Sequence, residues 1–373
     1  MKAFSIFTLC VFSFLQARDE PSRADKLFHD WDRNKDGRLG KEEIPPNPRR
    51  NFSRVDTDKD GFISIEEHRK FLSGGDRKQG GARVNTRLEG FRNLLNVPYA
   101  DTDNPRQTLN LYIPENPITK KPLPLIAYIH GGGWRSGDKA GGVNSVRKFL
   151  GEGHYAAASI GYRLTDEGSW PGQIHDCKAA IRWLKAHARK YNYDPGRIAV
   201  MGNSAGGHLV AMLGVSGDVK TLDGKLGLHL KENSRVKCVV DFCGPANLVT
   251  MMDQPSRMKH DAPDSPESLL VGGPVRDRLD VALAASPESY ISGADAPILV
   301  VHGDKDSTVP FPQAVDFHAK LKAAGVDSTL IVCEGMGHGL RSPKLDKRIK
   351  TFFEKHLLDR KVEVSGAPIK HNP

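Results

Sequence analysis

The stretch Arg197-Ile-Ala-Val-Met-Gly-Asn-Ser-Ala-Gly206 decides the fold of this 373-residue chain. It begins with a short apolar run that predicts a buried strand, and residues 205–214 after it predict a helix. Gly202 and Gly206 let the strand and the helix approach closely at the turn between them, while the turn projects Ser204 outward. This strand–turn–helix context is typical of a serine nucleophile.

Outward from this turn, short apolar runs alternate with amphipathic segments from about residue 90 onward. The alternation predicts an α/β fold with a mostly parallel sheet flanked by helices. The predicted strands are residues 109–113, 125–129, 156–161, 198–201, 236–242, 298–302 and 329–333, and the predicted helices are residues 174–190, 205–214, 313–324 and 345–358. Residues 245–296 interrupt the alternation, so we expect them to form an insertion over the active site.

A glycine-rich turn, His130-Gly-Gly-Gly-Trp134, directly follows the predicted strand 125–129. Ester or amide cleavage by a serine develops a negative oxygen, which preorganised backbone N–H groups stabilise. Glycines present these groups without obstruction by a side chain. We expect the oxyanion donors to be the N–H groups of Gly131, Gly132 and Ala205.

A serine nucleophile on this kind of sheet needs an acid and then a base, in that chain order. Asp306 lies on the loop beyond strand 298–302 and is the expected acid, with Asp304 as the fallback. His338 follows the next strand on a glycine loop and is the expected base. Ser204, Asp306 and His338 therefore form the predicted catalytic triad. Three further histidines are expected to be structural, or to support the triad from behind, rather than to act as the base: His130, His208 and His302.

Two twelve-residue stretches near the N-terminus, 32–43 and 56–67, share one pattern of oxygen ligands. Both place Asp or Asn at positions 1, 3 and 5, Gly at position 6 and Glu at position 12. Ca²⁺ prefers six to eight oxygen ligands, including one backbone carbonyl at position 7. The expected ligands are Asp32, Asn34, Asp36, the Arg38 carbonyl and Glu43 in the first loop, and Asp56, Asp58, Asp60, the Phe62 carbonyl and Glu67 in the second.

This repeated pattern resembles an EF-hand pair and predicts a small helical domain over residues 22–72. Leu39 and Ile63 are placed to pair the two loops across a short strand. Pro45, Pro46 and Pro48 follow the first loop, so its exit helix must be short or absent. A fixed structural or docking module is therefore favoured over a sensor that opens. The alternative is a pair of acidic turns that bind no metal.

Composition and the chain ends complete the predicted organisation. A basic start and a run of apolar residues predict a signal peptide over residues 1–17, and hence a secreted or periplasmic protein. Residues 73–86 are predicted to be a flexible linker, residues 87–360 the catalytic domain, and residues 361–373 a disordered tail. The net charge is +9, but the sequence contains no compact basic run with interleaved aromatics, which argues against nucleic-acid binding. The apolar start is shorter than the ~20 residues of a membrane span, so no stable insertion is expected.

Residues from about 95 to 358 resemble the α/β-hydrolase esterases that include bacterial acetyl xylan and feruloyl esterases. The resemblance is carried by residues 130–134, 161–164, 170–176, 194–198, 202–207 and 270–274. It implies a serine hydrolase of carboxylic esters, with acyl groups on polysaccharides or oligosaccharides as the expected substrates and no organic cofactor. The alternatives are an arylformamidase or lipase-like esterase, a peptidase, and a catalytically dead calcium-dependent binding protein.

Overall fold

The computed structural model describes residues 23–45, 49, 52–72, 86–151 and 153–370. The chain divides into two compact units, residues 1–83 and 84–373. The division falls within the predicted linker, of which residues 73–85 lie outside the described residues. The predicted signal peptide, residues 1–17, lies outside them as well.

The N-terminal unit contains short helices and a two-residue strand within each acidic loop. Its elements are α1 (Arg23–Trp31), β1 (Arg38–Leu39), α2 (Phe52–Val55), β2 (Ile63–Ser64) and α3 (Ile65–Leu72). Strands β1 and β2 pair antiparallel with Leu39 opposite Ile63, as the sequence predicts. Its apolar core is made of the buried side chains Phe28, Leu39, Ile44, Phe52, Val55 and Ile63. The two loops are thus held side by side by a small core of their own.

The C-terminal unit is built on a mostly parallel sheet, which has nine strands among the described residues. The strands are β3 (Phe91–Pro98), β4 (Thr108–Pro114), β5 (Leu123–Ile129), β6 (Ala156–Ile160), β7 (Tyr193–Asn203), β8 (Cys238–Phe242), β9 (Ile298–Gly303), β10 (Ser328–Glu334) and β11 (Ile369–Lys370). Their order across the sheet is β11-β10-β9-β8-β7-β5-β6-β4-β3. Strands β3 and β4 are antiparallel to their neighbours, and the pairs from β6 to β11 are parallel.

Helices cover the sheet and bury it in two apolar clusters. They are α4 (Gly142–Arg147), α5 (Gly172–Tyr191), α6 (Ala205–Val215), α7 (Leu248–Met251), α8 (Pro266–Val271), α9 (Leu279–Ala284), α10 (Pro312–Ala323) and α11 (Pro343–Leu357). Each of the seven predicted strands and four predicted helices is present within a few residues of its predicted bounds. The central strand β5 is buried along its whole length, which is the pattern of a strand covered on both faces.

One expectation from the sequence is wrong at the C-terminal end of the chain. Residues 361–373 were expected to be a disordered tail, but Ile369 and Lys370 form β11 and pair in parallel with Cys333 and Glu334 of β10. The Ile369 side chain is buried in the core. Burial of this one apolar residue anchors a segment whose polar composition predicts disorder. Residues 371–373 lie outside the described residues.

Two further properties of the described residues concern the cysteines and the helices. The cysteines that the structure describes are buried and free: Cys177, Cys238, Cys243 and Cys333. No helix among the described residues combines the length and apolar character that crossing a membrane requires.

Candidate active site

The serine of the Gly202–Gly206 turn has a strained backbone. Ser204 lies between β7 and α6 with φ 56° and ψ −122°, a left-handed φ that non-glycine residues rarely adopt. Its N–H donates to the Phe242 carbonyl at 2.8 Å, which ties the turn to the end of β8. A Cβ at Gly206 would overlap the backbone carbonyl oxygen of Ile129 in β5. The close approach of helix and strand therefore requires glycine, as the sequence pattern predicts.

A carboxylate and an imidazole meet beside this serine. His338 Nδ1 lies 2.7 Å from Asp306 Oδ2. The other carboxylate oxygen, Oδ1, accepts the N–H groups of Thr308 at 2.8 Å and Val309 at 3.0 Å. His302 Nε2 lies 3.2 Å from Oδ2 on the buried side. The carboxylate is thus held in one orientation, with a single oxygen facing His338.

The electrostatics of Asp306 favour its charged form. Burial raises the pKa of this carboxyl group, but hydrogen bonds from His302 and His338, and the N–H of Thr308, outweigh burial and hold the pKa below its ordinary value. Asp306 therefore stays ionised beside His338 across the physiological pH range.

The second carboxylate of the same loop has a different partner. Asp304 Oδ1 accepts the N–H of Gly335 at 2.7 Å. Gly335 begins the loop that carries His338, so this bond ties that loop to the end of β9. The contact with the imidazole is made by Asp306, which was the first choice from the sequence.

Ser204 and His338 line one cleft of about 370 Å³ at the carboxyl ends of the strands. Gly132 and Ala205, two of the expected oxyanion donors, line it as well. Gly131 is not among the described residues that line the cleft, and Gly133 is. A Cβ at Gly131 would lie 2.6 Å from the backbone oxygen of Asn203, so Gly131 packs against the serine turn.

Buried aromatic and histidine side chains hold the glycine loop in place. His130 stacks on Tyr162 with ring centroids 4.3 Å apart. Trp134 Nε1 donates to His208 Nδ1 at 3.2 Å, and His208 Nε2 lies 2.6 Å from the Ala285 carbonyl. Burial lowers the pKa of His130 and of His208 to about 4, so both rings are neutral at physiological pH. Both histidines are structural, as expected.

Several cleft residues were missed by the sequence analysis, and four of them belong to the insertion 245–296. Pro245, Met258, Pro266 and Glu267 all line the cleft. The sequence places this insertion over the active site but contains no signal that selects these positions, because a long irregular segment has no periodicity to orient its side chains. Arg135, next to the glycine loop, was also missed.

The second acidic loop of the N-terminal unit brings three carboxylates close together. Carboxylate oxygens of Asp56, Asp58 and Asp60 lie within 4.8 Å of one another. Asp56 Oδ1 is buried and has no hydrogen-bond partner among the described residues. An orphaned buried carboxylate oxygen is costly without a ligand. Gly61, with φ 88°, makes the sharp turn that the pattern predicts.

The first acidic loop has the same turn, and backbone N–H groups bond to carboxylates in both loops. The two oxygens of Asp32 accept the N–H groups of Asp36 and Gly37 at 3.2 and 3.0 Å. Glu43 Oε2 accepts the N–H of Gly40 at 2.8 Å. The residues of both loops are of the oxygen-bearing type that fits Ca²⁺. The fit is closer in the second loop.

Comparisons with known proteins agree with this geometry. The family model BD-FAE matches residues 109–321, and an EF hand model matches residues 51–72, which contain the second acidic loop. The chain is 32% identical over 200 residues to the probable carboxylic ester hydrolase LipM of Mycobacterium tuberculosis, covering 53% of this chain and 45% of LipM. The chain spans about half the length of the curated relatives it matches.

Two solved structures are similar over most of the C-terminal unit. A truncated carbohydrate esterase from gut microbiota has a TM-score of 0.67 and 32% identity, covering 73% of this chain and 99% of that one. A bifunctional GH43-CE protein of Bacteroides eggerthii has a TM-score of 0.66 and 29% identity, covering 73% of this chain and 36% of that one.

Proposed function

The chain belongs to the BD-FAE family of α/β-hydrolases, and from this premise we propose that it is a serine carboxylic ester hydrolase. The observation that carries the proposal is the 2.7 Å contact between Asp306 Oδ2 and His338 Nδ1, in a structure where His338 and Ser204 line the same cleft. A nucleophile, an ionised acid and a base then follow one another in the chain order that a serine hydrolase of this fold uses.

The proposed reaction proceeds through an acyl-enzyme. Ser204 Oγ attacks the ester carbonyl carbon while His338 Nε2 takes the hydroxyl proton, and Asp306 stabilises the resulting imidazolium. The tetrahedral oxyanion accepts hydrogen bonds from the backbone N–H groups of Ala205 and of the glycine loop at Gly132 and Gly133. His338 then returns the proton to the leaving alcohol, and a water molecule repeats the sequence to release the acid.

Carbohydrate esters are the proposed substrates, with acetyl or feruloyl groups as the acyl part. The proposal is supported by the two carbohydrate-esterase neighbours, which align over 73% of this chain. The open cleft of about 370 Å³ suits a small acyl group with its alcohol extending outward. Secretion is proposed on the apolar N-terminal sequence, residues 1–17.

Calcium is the proposed ligand of the two acidic loops. When bound it would supply charge neutralisation and cross-links within the N-terminal unit, and it takes no part in ester cleavage. Asp56, Asp58, Asp60 and Glu67 would hold it in the second loop, and the unpartnered Asp56 oxygen supports this assignment.

The test of the proposed activity is the hydrolysis of four substrates by the full chain: p-nitrophenyl acetate, acetylated xylan, methyl ferulate and N-formylkynurenine. We expect cleavage of p-nitrophenyl acetate and of at least one of acetylated xylan and methyl ferulate, and loss of about 10⁶ in kcat in Ser204→Ala. Ser289→Ala, an exposed serine in the insertion, is the matched control and should keep full activity. A Ser204→Ala protein with near-normal rates would refute the mechanism, and preferred cleavage of N-formylkynurenine would favour an arylformamidase.

A further inference from the structure

One carboxylate in the cleft wall has no role in the triad. Glu267 belongs to α8 and lines the cleft together with Ser204 and His338. Its side chain is 4% exposed, so it is an almost fully buried acid at the edge of the reaction site. The residue before it, Pro266, packs against the glycine loop, where a Cβ at Gly133 would lie 3.0 Å from the proline Cβ. Glu267 therefore sits close to the oxyanion loop.

The charge of Glu267 has little compensation from the protein. Its Oε2 atom is buried and makes no hydrogen bond to any part of the chain that the structure describes. The imidazole of His260 lies beside it, with Nδ1 at 3.2 Å from Oε2. His260 is itself buried, and within the described residues neither of its ring nitrogens has a hydrogen-bond partner. Oε2 faces His260 and is sealed from solvent, so a ligand in the cleft can reach this carboxylate only through its other oxygen, Oε1. A buried carboxylate with so few partners is stabilised by a ligand that donates hydrogen bonds to that oxygen.

We propose that Glu267 selects the alcohol part of the substrate by accepting hydrogen bonds from its hydroxyl groups. The inference rests on the proposed esterase function and deepens it. An acetyl group has no donor to offer, so with an acetyl ester the donors must come from the alcohol. A hydroxyl-rich alcohol such as a sugar satisfies the carboxylate, and an alkyl alcohol leaves it desolvated and unpaired.

A neighbouring depression gives the alcohol room to continue. A second depression of about 470 Å³ shares Met258 with the catalytic cleft, and His260 lies in its wall. The Glu267–His260 pair thus separates the two depressions. Gln254, Lys259 and Arg276 line the second one with polar groups. An oligosaccharide could place its acylated unit at Ser204 and its next unit beyond Met258.

The test compares two acetates that differ in the alcohol alone: a monoacetylated methyl xyloside and cyclohexyl acetate. Both have a six-membered ring and a similar leaving group, and the readout is the ratio of their kcat/KM values. In Glu267→Leu we expect this ratio to fall on the order of 100-fold, since charge-assisted hydrogen bonds are lost. Glu267→Gln keeps an acceptor oxygen without the charge, so its ratio should fall by about 10-fold.

Glu288→Gln is the matched control for these variants. Glu288 is also a buried glutamate of the insertion, but its carboxylate is paired with Lys320 and Asn247. Its substitution should leave the ratio unchanged. Hydrolysis of cyclohexyl acetate by each variant reports that the protein is folded and that the triad works.

Three results would overturn the inference. An unchanged ratio in both Glu267 variants would show that the carboxylate is structural, and would leave the proposed esterase function standing. A selective loss on acetylcholine, with the sugar ratio unchanged, would show that the carboxylate recognises a cation. If the wild-type chain cleaves neither acetate, the proposed function itself has failed.

Discussion

Substitution of Asp306 by Asn should lower kcat by about 10⁴ while the protein stays folded. The structure dictates how the new amide would be oriented. Oδ1 of Asp306 accepts two backbone N–H groups, from Thr308 at 2.8 Å and Val309 at 3.0 Å. Of the two amide atoms, the oxygen can accept these bonds and the NH₂ group cannot. The oxygen must therefore take the Oδ1 position, and the NH₂ group must face His338.

This orientation places the wrong hydrogen-bonding partner against the imidazole. An NH₂ group 2.7 Å from Nδ1 donates, so Nδ1 of His338 must accept and the ring proton moves to Nε2. A protonated Nε2 cannot take the proton of Ser204. The imidazolium formed in the reaction also loses its negative partner. At about 1.36 kcal/mol per factor of ten, a loss of 10⁴ is about 5.4 kcal/mol of transition-state stabilisation.

The assay is p-nitrophenyl acetate hydrolysis by purified wild type, Asp306→Asn and Asp304→Asn, with thermal melts to verify folding. Asp304 bonds to Gly335 N on the histidine loop. Its substitution should therefore act through loop geometry and cause a smaller loss. A larger loss in Asp304→Asn than in Asp306→Asn would refute this argument. So would an Asp306→Asn enzyme within about tenfold of wild type.

Two further predictions concern the acidic loops. Excess EGTA should lower the melting temperature or protease resistance of residues 22–72, in a Ca²⁺-dependent way that Glu43→Gln/Glu67→Gln abolishes, because an ion bound to the folded form alone stabilises it by mass action. Turnover of p-nitrophenyl acetate should barely change, and a large loss restored by Ca²⁺ would show that the units are coupled. Burial raises the pKa of Glu67, but hydrogen bonds from Ser64 and Thr57 hold it at about 2. A lowered pKa stabilises above the ordinary value of 4.5, so calcium-free melts should lose stability from about pH 4.5 toward pH 2, less steeply in Glu67→Gln.

The sequence predicts the triad residues because local patterns place them. Ser204 stands between a strand and a helix, and Asp306 and His338 each follow a parallel strand of the same sheet. Parallel strands end at one edge, so three residues far apart in sequence meet there without any further information. The choice of Asp306 over Asp304 also follows from local position, and the 2.7 Å contact agrees with it.

Other features depend on contacts that no local pattern encodes. Strand β11 forms because Ile369 finds a place in a core made by distant residues. Gly131 faces Asn203 and Gly133 faces the cleft, a difference set by the packing of two separate turns. The partnership of Glu267 with His260 arises within an irregular insertion, where neither period 2 nor period 3.6 indicates which side chains point inward.

The sheet and the insertion supply different parts of the active site. The triad is held by backbone groups of the sheet and its loops, including the N–H groups of Thr308, Val309 and Gly335. The insertion supplies the opposite wall of the cleft, including Met258 and Glu267. Within the described part of the chain, no hydrogen bond of Asp306 involves an insertion residue. Substitutions in the insertion wall should therefore change which alcohol is accepted more than they change the chemistry at Ser204. Selectivity can therefore vary on this scaffold while the catalytic geometry stays constant.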